Sequence, residues 1–277
     1  MVTVERPEEL TVRLRAAPEY VIGLPFFVEV TLANDTEGAE YYSLSDFDPL
    51  EPPFPVEFTF STGEQRLALP ARSSMRGERR RGFDLSPNES HTVVLDLSEL
   101  EPRLEPGQWQ MQARWVMRHE KPCSTPVPVM LFAAEPTDAP LLDRLRHADG
   151  ALRPSWANLL RSRSALDSGE ELRGLSEQAR RALVPYLILH QAIHGPEPLA
   201  TFPLDFLAAH DLGPWASEAG ILGYELLQAR RAPDLAQQRE RLLQRWPGLA
   251  FRVREIDAGA GLLTLLRSEY GPESPGR

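Results

Sequence analysis

The sequence predicts an α+β chain, a β-sandwich followed by an α-helical domain, and three observations carry that prediction. Short apolar runs of period two fill the first 135 residues, and apolar spacing lengthens to three or four residues after about 140. Sixteen of the 26 prolines lie in residues 1–140, whereas 12 of the 18 glycines lie after residue 140. The chain has 277 residues, 42% hydrophobic and 25% charged, enough for two ordinary domains. The boundaries expected are 1–135 for the sandwich, 136–140 for a linker, 141–267 for the helical domain and 268–277 for a disordered tail rich in Pro and Gly.

The strands follow in order. Leu10, Val12 and Leu14 alternate with polar residues, and Phe26, Val28, Val30 and Leu32 alternate with Phe27, Glu29 and Thr31, a run closed by Asn34-Asp35-Thr36. Val56, Phe58 and Phe60 form a third run and Leu67 with Leu69 a short fourth. Val93, Leu95 and Leu97 follow, then Trp109, Met111, Ala113, Trp115 and Met117, which alternate with glutamines and arginine. Val127, Val129 and Leu131 complete the set, and Pro126 and Pro128 assign that run to an edge or a bulge. Seven or eight such strands need a second sheet to cover each apolar face.

Two places resemble bacterial immunoglobulin-like modules of the BsuPI-like kind. One is the long strand ending Leu32-Ala33-Asn34; the other is Leu85-Ser86-Pro87-Asn88-Glu89-Ser90 followed by Leu104-Glu105-Pro106-Gly107-Gln108-Trp109. Asn88 stands where that family has a turn glycine and Trp109 where it has tyrosine. The resemblance implies an immunoglobulin-like sandwich that binds or spaces rather than catalyses.

Helical periodicity starts with Leu141, Leu142 and Leu145 and resumes around Trp156, Leu159 and Leu160. From Glu170 to His194, apolar residues recur at helical spacing, with Pro185 predicting a kink or two helices and Gly195 a C-terminal cap. Ala219, Leu222 and Leu226 precede Leu235, Leu242, Leu243 and Trp246. Residues 251–256 fit either a strand or a helix. Residues 219–247, with Leu222-Gly223 and Trp246-Pro247-Gly248, resemble a tetratricopeptide-type unit, although Ala219 and Arg239 occupy positions where that family carries aromatic residues. The resemblance implies a helical binding platform.

Composition narrows the function. Forty acidic against 30 basic residues give a net charge of −10, which argues against general nucleic-acid binding. Residues 1–135 carry −9 of it. Residues 16–65 hold ten acids and no Lys or Arg, and residues 66–81 hold six arginines against Glu78 alone. Only one lysine occurs, an arginine bias that fits a GC-rich bacterial genome. One cysteine, Cys123, precludes an internal disulfide. No apolar run approaches the length of a membrane span, and the first residues lack the pattern of a signal peptide, so a cytoplasmic protein is expected.

Two groups of residues offer chemistry. His190 and His194 stand four apart on one predicted helix face, the spacing that lets two imidazoles share a zinc ion. Gln191 replaces the glutamate general base of an HExxH protease, and a third ligand would come from Asp205, His210 or Asp211. The competing assignment, packing beside Leu183 and Leu187, is preferred, so no cofactor is expected. Arg72, Arg76, Arg79, Arg80 and Arg81 form a cluster able to hold a carboxylate-rich protein partner through bidentate contacts. Asp46, Asp48 and Glu51 lack the pattern of a calcium loop and are assigned to a solvated acidic loop. His119 and Cys123 would lie about 13 Å apart along a strand, too far for a dyad. Gly259-Ala260-Gly261 is assigned to a turn.

The sequence thus predicts a non-enzymatic interaction module, an adaptor or scaffold docking through charged sandwich loops and a helical surface. A metal-dependent hydrolase using His190 and His194, and an inhibitor or immunity-type protein with an acidic face, are the alternatives.

Overall fold

A computed structural model describes residues 10–35, 42–45, 56–63, 65–69, 82–98, 104–116, 122–146, 160, 174–194, 212–261 and 263–264. The chain is α+β. Its strands are β1 (Leu10–Ala16), β2 (Glu19–Val21), β3 (Phe27–Asn34), β4 (Tyr42–Ser45), β5 (Val56–Ser61), β6 (Arg66–Leu69), β7 (Gly82–Leu85), β8 (Ser90–Asp96), β9 (Gly107–Trp115) and β10 (Val127–Phe132). The helices are α1 (Ala139–Arg146), α2 (Glu177–His194), α3 (Ala216–Ala229), α4 (Leu235–Arg245) and α5 (Ala250–Asp257). Single 3-10 turns, Gly213–Trp215 and Pro247–Leu249, lead into α3 and α5. No helix among the described residues is long and apolar enough to cross a membrane.

One sheet has the order β1-β3-β8 and a second the order β2-β10-β9-β5-β6, while β4 and β7 pair by themselves. Every pairing is antiparallel except β10 with β2. Period-two alternation sends Val12, Val30 and Leu95 from the first sheet, and Phe58, Phe60, Met111 and Trp115 from the second, into one apolar core. The prolines of β10 fit its neighbours. Strand β10 lies inside the sheet rather than at its edge, but β2 pairs it only at Met130–Phe132, so Pro128 meets β9 alone.

Strands β3 and β8 of the first sheet are buried on both faces, whereas β1 exposes Arg13 and Arg15. In β3, the inward residues Val28, Val30 and Leu32 and the outward residues Phe27, Glu29 and Ala33 are all buried. The outward side is covered by helices. Phe27 and Val94 belong to the same apolar core as Leu183, Tyr186 and Leu189 of α2 and Trp215, Ala219 and Leu222 at the start of α3. Burying one such side chain contributes roughly 1.5–3 kcal/mol, so the coverage accounts for much of the layer's attachment. A third core joins α3, α4 and α5 through Ile221, Tyr224, Leu242, Leu249 and Val253.

Local details follow from the residues. Helix α2 runs unbroken through Pro185. Residues 251–256 are helical, within α5, because Val253 and Ile256 reach the third core at a spacing of three. Gly259, at φ +79°, takes up the turn after α5.

Gly248 marks where the helix layer comes closest to the sheet, since a Cβ there would meet Thr92 Oγ1 and sit 3.2 Å from Ser90 Oγ. Gly248→Ala is expected to destabilise the protein by about 1–3 kcal/mol, the usual cost of overpacking. Adding Thr92→Ala should return part of that loss in urea unfolding. Equal stability of Gly248→Ala and the parent would show that the contact is loose.

Candidate functional site

The joint between sheet and helices is polar as well as apolar. Asp96, at the end of β8, accepts the Phe26 N–H at 2.9 Å, the Ser98 N–H at 2.9 Å and the Tyr186 hydroxyl of α2 at 2.6 Å. Thr31 and Thr92 share a hydrogen bond of 2.8 Å across β3 and β8. Glu29 accepts the Ser217 hydroxyl from α3. Burial raises the Glu29 carboxyl above its usual value, with Ser217 and Arg15 opposing the rise and Glu218 adding to it. Glu218 holds Arg252 of α5 through both terminal guanidinium nitrogens, Nη1 and Nη2, the latter at 2.8 Å. Glu225 accepts the backbone N–H groups of Leu263 at 2.8 Å and Thr264 at 2.9 Å.

Other groups are shifted for equally plain reasons. His91, buried edge-on to Trp115 and Phe251, is pushed down to about 3 by burial and then by the Arg252 charge, so it is neutral at ordinary pH. Tyr224 is pushed up to about 12 by desolvation and by its bond to Asp257.

A cleft opens at one end of this joint. It has a volume of about 310 Å³, within the range of small binding sites, and lies between β2, the start of β3, α2 and the Gly213–Trp215 turn. Its walls include Tyr20, Phe27, Pro185 and Trp215, with Phe132, a large hydrophobic residue 38% exposed, at the margin. Helix α2 contributes Gln178, Arg181, Ala182 and Pro185, whose spacing of three, four and seven puts them on one face. Glu19 lies opposite, on β2. The Tyr20 hydroxyl is consumed locally: it accepts the Ala17 N–H at 2.8 Å and donates to the Phe27 carbonyl at 2.6 Å. Trp215 is 1% exposed, and its indole N–H has no acceptor among the described residues.

Of the residues singled out in sequence, the described ones lie away from the cleft lining. Arg72, Arg76, Arg79, Arg80 and Arg81 fall outside the described residues, as do Asp46, Asp48, Glu51, Asp205, His210 and Asp211. His190 and His194 do come together in the second half of α2, with ring centroids 4.7 Å apart. His194 Nε2 is 2.7 Å from the Leu160 carbonyl. A carbonyl only accepts, so that nitrogen carries a proton and donates it. No group of three His, Cys, Asp or Glu placed to hold a metal occurs among the described residues. Cys123 is exposed, beside β9.

The cleft was missed in sequence because its walls come from segments far apart in the chain. A partial signal was present. Adjacent apolar pairs, Phe26-Phe27 and Val93-Val94, interrupt strict alternation and mark strands buried on both faces.

No family model matches the chain, and no curated protein matches it. Among solved structures it is similar to a β-glucosidase from Listeria innocua in complex with isofagomine, at 17% identity and TM-score 0.26, covering 46% of this chain and 16% of that one. A β-glucosidase from Erythrobacter marinus gives 16% identity and TM-score 0.26, covering 44% of this chain and 15% of that one. The chain therefore spans about a sixth of the length of these structures. Likenesses of this size bear on neither fold nor activity.

Two measurements follow from the geometry. For a carboxyl raised on folding, stability is greatest in acid and falls as pH rises from the unfolded value through the folded one. Glu29→Gln keeps an acceptor for Ser217 and no longer ionises. Its melting temperature should therefore gain on the parent as pH rises above about 4.5, the ordinary value of the group; a gap that grows toward acid instead would contradict the burial argument. Zinc at one equivalent should leave the melting temperature unchanged, because the described residues bring no third ligand to His190 and His194. Stoichiometric zinc in the purified protein, lost on His190→Ala, would reverse that assignment.

Proposed function

We propose that the protein is a non-enzymatic interaction module, an adaptor or scaffold acting in the cytoplasm, and that a protein partner docks in the cleft between the sheets and α2. The cleft is the observation that carries this reading. Its apolar walls are edged by Glu19, Gln178 and Arg181, groups suited to orienting a ligand, and Phe132 extends the apolar surface beyond it.

The architecture of a binding platform supports the same reading. Two sheets enclosing one core favour an immunoglobulin-like sandwich for residues 1–135. The adjacent helices α3 and α4, packed closely where Gly220 faces Leu242 and Trp246, favour a tetratricopeptide-type unit within residues 141–267. In this reading Arg72, Arg76, Arg79, Arg80 and Arg81 add salt-dependent attraction for an acidic patch on the same partner.

The test fills the cleft. Ala182→Phe occupies it from the α2 side, and Phe132→Ser removes the exposed ring at its margin. Both variants should melt near the parent temperature and recover at least about tenfold less partner in cross-linked pull-downs. Changing Arg79, Arg80 and Arg81 to alanine should lower recovery at low salt and have little effect at high salt. Undiminished recovery by a folded Ala182→Phe protein would remove the cleft from the docking surface.

A further inference from the structure

We infer that the cleft captures the free amino terminus of the partner chain, with a large apolar first residue; the inference rests on the cleft being the docking site. Three features of its lining converge on an ammonium group followed by a carbonyl.

The first is a surplus of acceptors. The Glu19 carboxylate has neither a hydrogen bond nor an ion pair among the described residues. Pro185 lies inside α2 and has no N–H, so the Arg181 carbonyl one turn earlier lacks its usual helical donor, and both residues line the cleft. The Arg181 side chain is largely exposed and pairs with Glu177 one turn earlier, on the solvent side of α2. The ionised group left without a partner among the described residues of the cleft is the Glu19 carboxylate.

The second feature is the aromatic wall. Tyr20 stacks one face on Phe26, with centroids 3.6 Å apart, and its hydroxyl is satisfied within the protein. It therefore offers the cleft ring surface rather than a polar tip. A ring face attracts a cation through its quadrupole, and a carboxylate nearby adds to that attraction. An anionic head group would meet the opposite field.

The third is a single donor. The Trp215 indole N–H is buried in the wall without an acceptor among the described residues, and a buried donor of this kind is normally satisfied. An N-terminal residue supplies both missing partners, an ammonium for Glu19 and the Arg181 carbonyl and, three bonds away, a peptide carbonyl for Trp215 once the enclosed indole turns toward the cleft. Its side chain is left for the apolar walls. The cleft volume of about 310 Å³ is roughly twice that of an apolar cavity that holds benzene, room for a leucine or phenylalanine side chain with its backbone.

The experiment uses the full-length protein and pentapeptides carrying a dye at the C-terminus, read by fluorescence anisotropy. A peptide beginning Leu-Ser-Gly should bind, and its N-acetylated form should bind at least about tenfold more weakly, the loss expected for a charge-assisted contact. Replacing the first leucine by glycine should weaken binding similarly. Glu19→Gln should bring the free peptide close to the acetylated one, and Trp215→Phe, which keeps an aromatic ring but loses the indole donor, should weaken both in a variant shown to be folded. Affinity should fall as pH rises through about 8, where an α-ammonium loses its proton while carboxylates stay ionised.

Equal binding of free and acetylated peptides, indifference to Glu19→Gln in a folded variant, or no binding of any of these peptides would overturn the inference. Such results beside a pull-down that still depends on the cleft would leave the docking site standing with a different ligand. A pull-down indifferent to Ala182→Phe would remove the docking reading itself.

Discussion

The outward face of the β1-β3-β8 sheet has to be covered, and the rest of the structure depends on how this is done. Strand β3 is central in that sheet, and its outward side presents Phe27 and Glu29 next to Val94 and Asp96 of β8. Apolar contact with α2 and α3 drives coverage without fixing its orientation, because the hydrophobic effect has no direction. The polar groups supply the direction. Asp96 needs the Tyr186 hydroxyl and Glu29 the Ser217 hydroxyl, so α2 and α3 satisfy these buried acceptors only at one position along the sheet.

The same division of labour continues outward through the helices. Glu218 and Arg252 form a nearly enclosed pair, with side chains 4% and 13% exposed, linking the start of α3 to α5. Enclosing two charges recovers little net stability against their desolvation, but removing either one strands the other. Arg252 is well suited to this position because Glu218, Glu225 and Glu255 all favour its charge. Glu225 in turn fixes the chain beyond α5 at Leu263 and Thr264, and Gly261 is glycine because a Cβ there would collide with that carboxylate. His91 lies on the inward side of the sheet, touching both Trp115 and Phe251, so α5 reaches the core between the two sheets as well as the helical one.

Sequence periodicity revealed the strands that have one wet face and one dry face. In β5 and β9 alternation survives in the folded chain, and Val56, Phe58 and Phe60 read in the sequence are the buried residues observed. It was less informative where both faces are dry, since Glu29 and Asp96 look like solvent residues until a helix from a distant segment arrives. The short β2, three residues long, carried too little pattern to be recognised. Pro185 predicted a break or kink that local chemistry favours, yet α2 continues through it, held by Leu183, Tyr186, Leu189 and Ile193 in the core. Packing outweighed the loss of one helical hydrogen bond. The spacing of His190 and His194 was correctly read as one helix face, but spacing alone does not give the Leu160 carbonyl that occupies one of their nitrogens.

The cleft follows from a topological detail that no single segment encodes. Strand β2 belongs to the second sheet, through its parallel pairing with β10, whereas β3 a few residues later belongs to the first. The chain crosses between sheets over residues 22–26, turning at Gly23, whose φ of +88° favours glycine. That crossing puts Tyr20 at the end of one sheet and Phe27 at the start of the other, with α2 and Trp215 lying over both. An occupant of the cleft would therefore touch the two sheets and the helix layer together. Since a ligand stabilises the state in which all its contacts exist, binding there would strengthen the attachment of α2 to the sheet at the end where the Asp96–Tyr186 bond holds it. Occupying the cleft and securing the helix layer would then be one energetic event, because the same walls serve both.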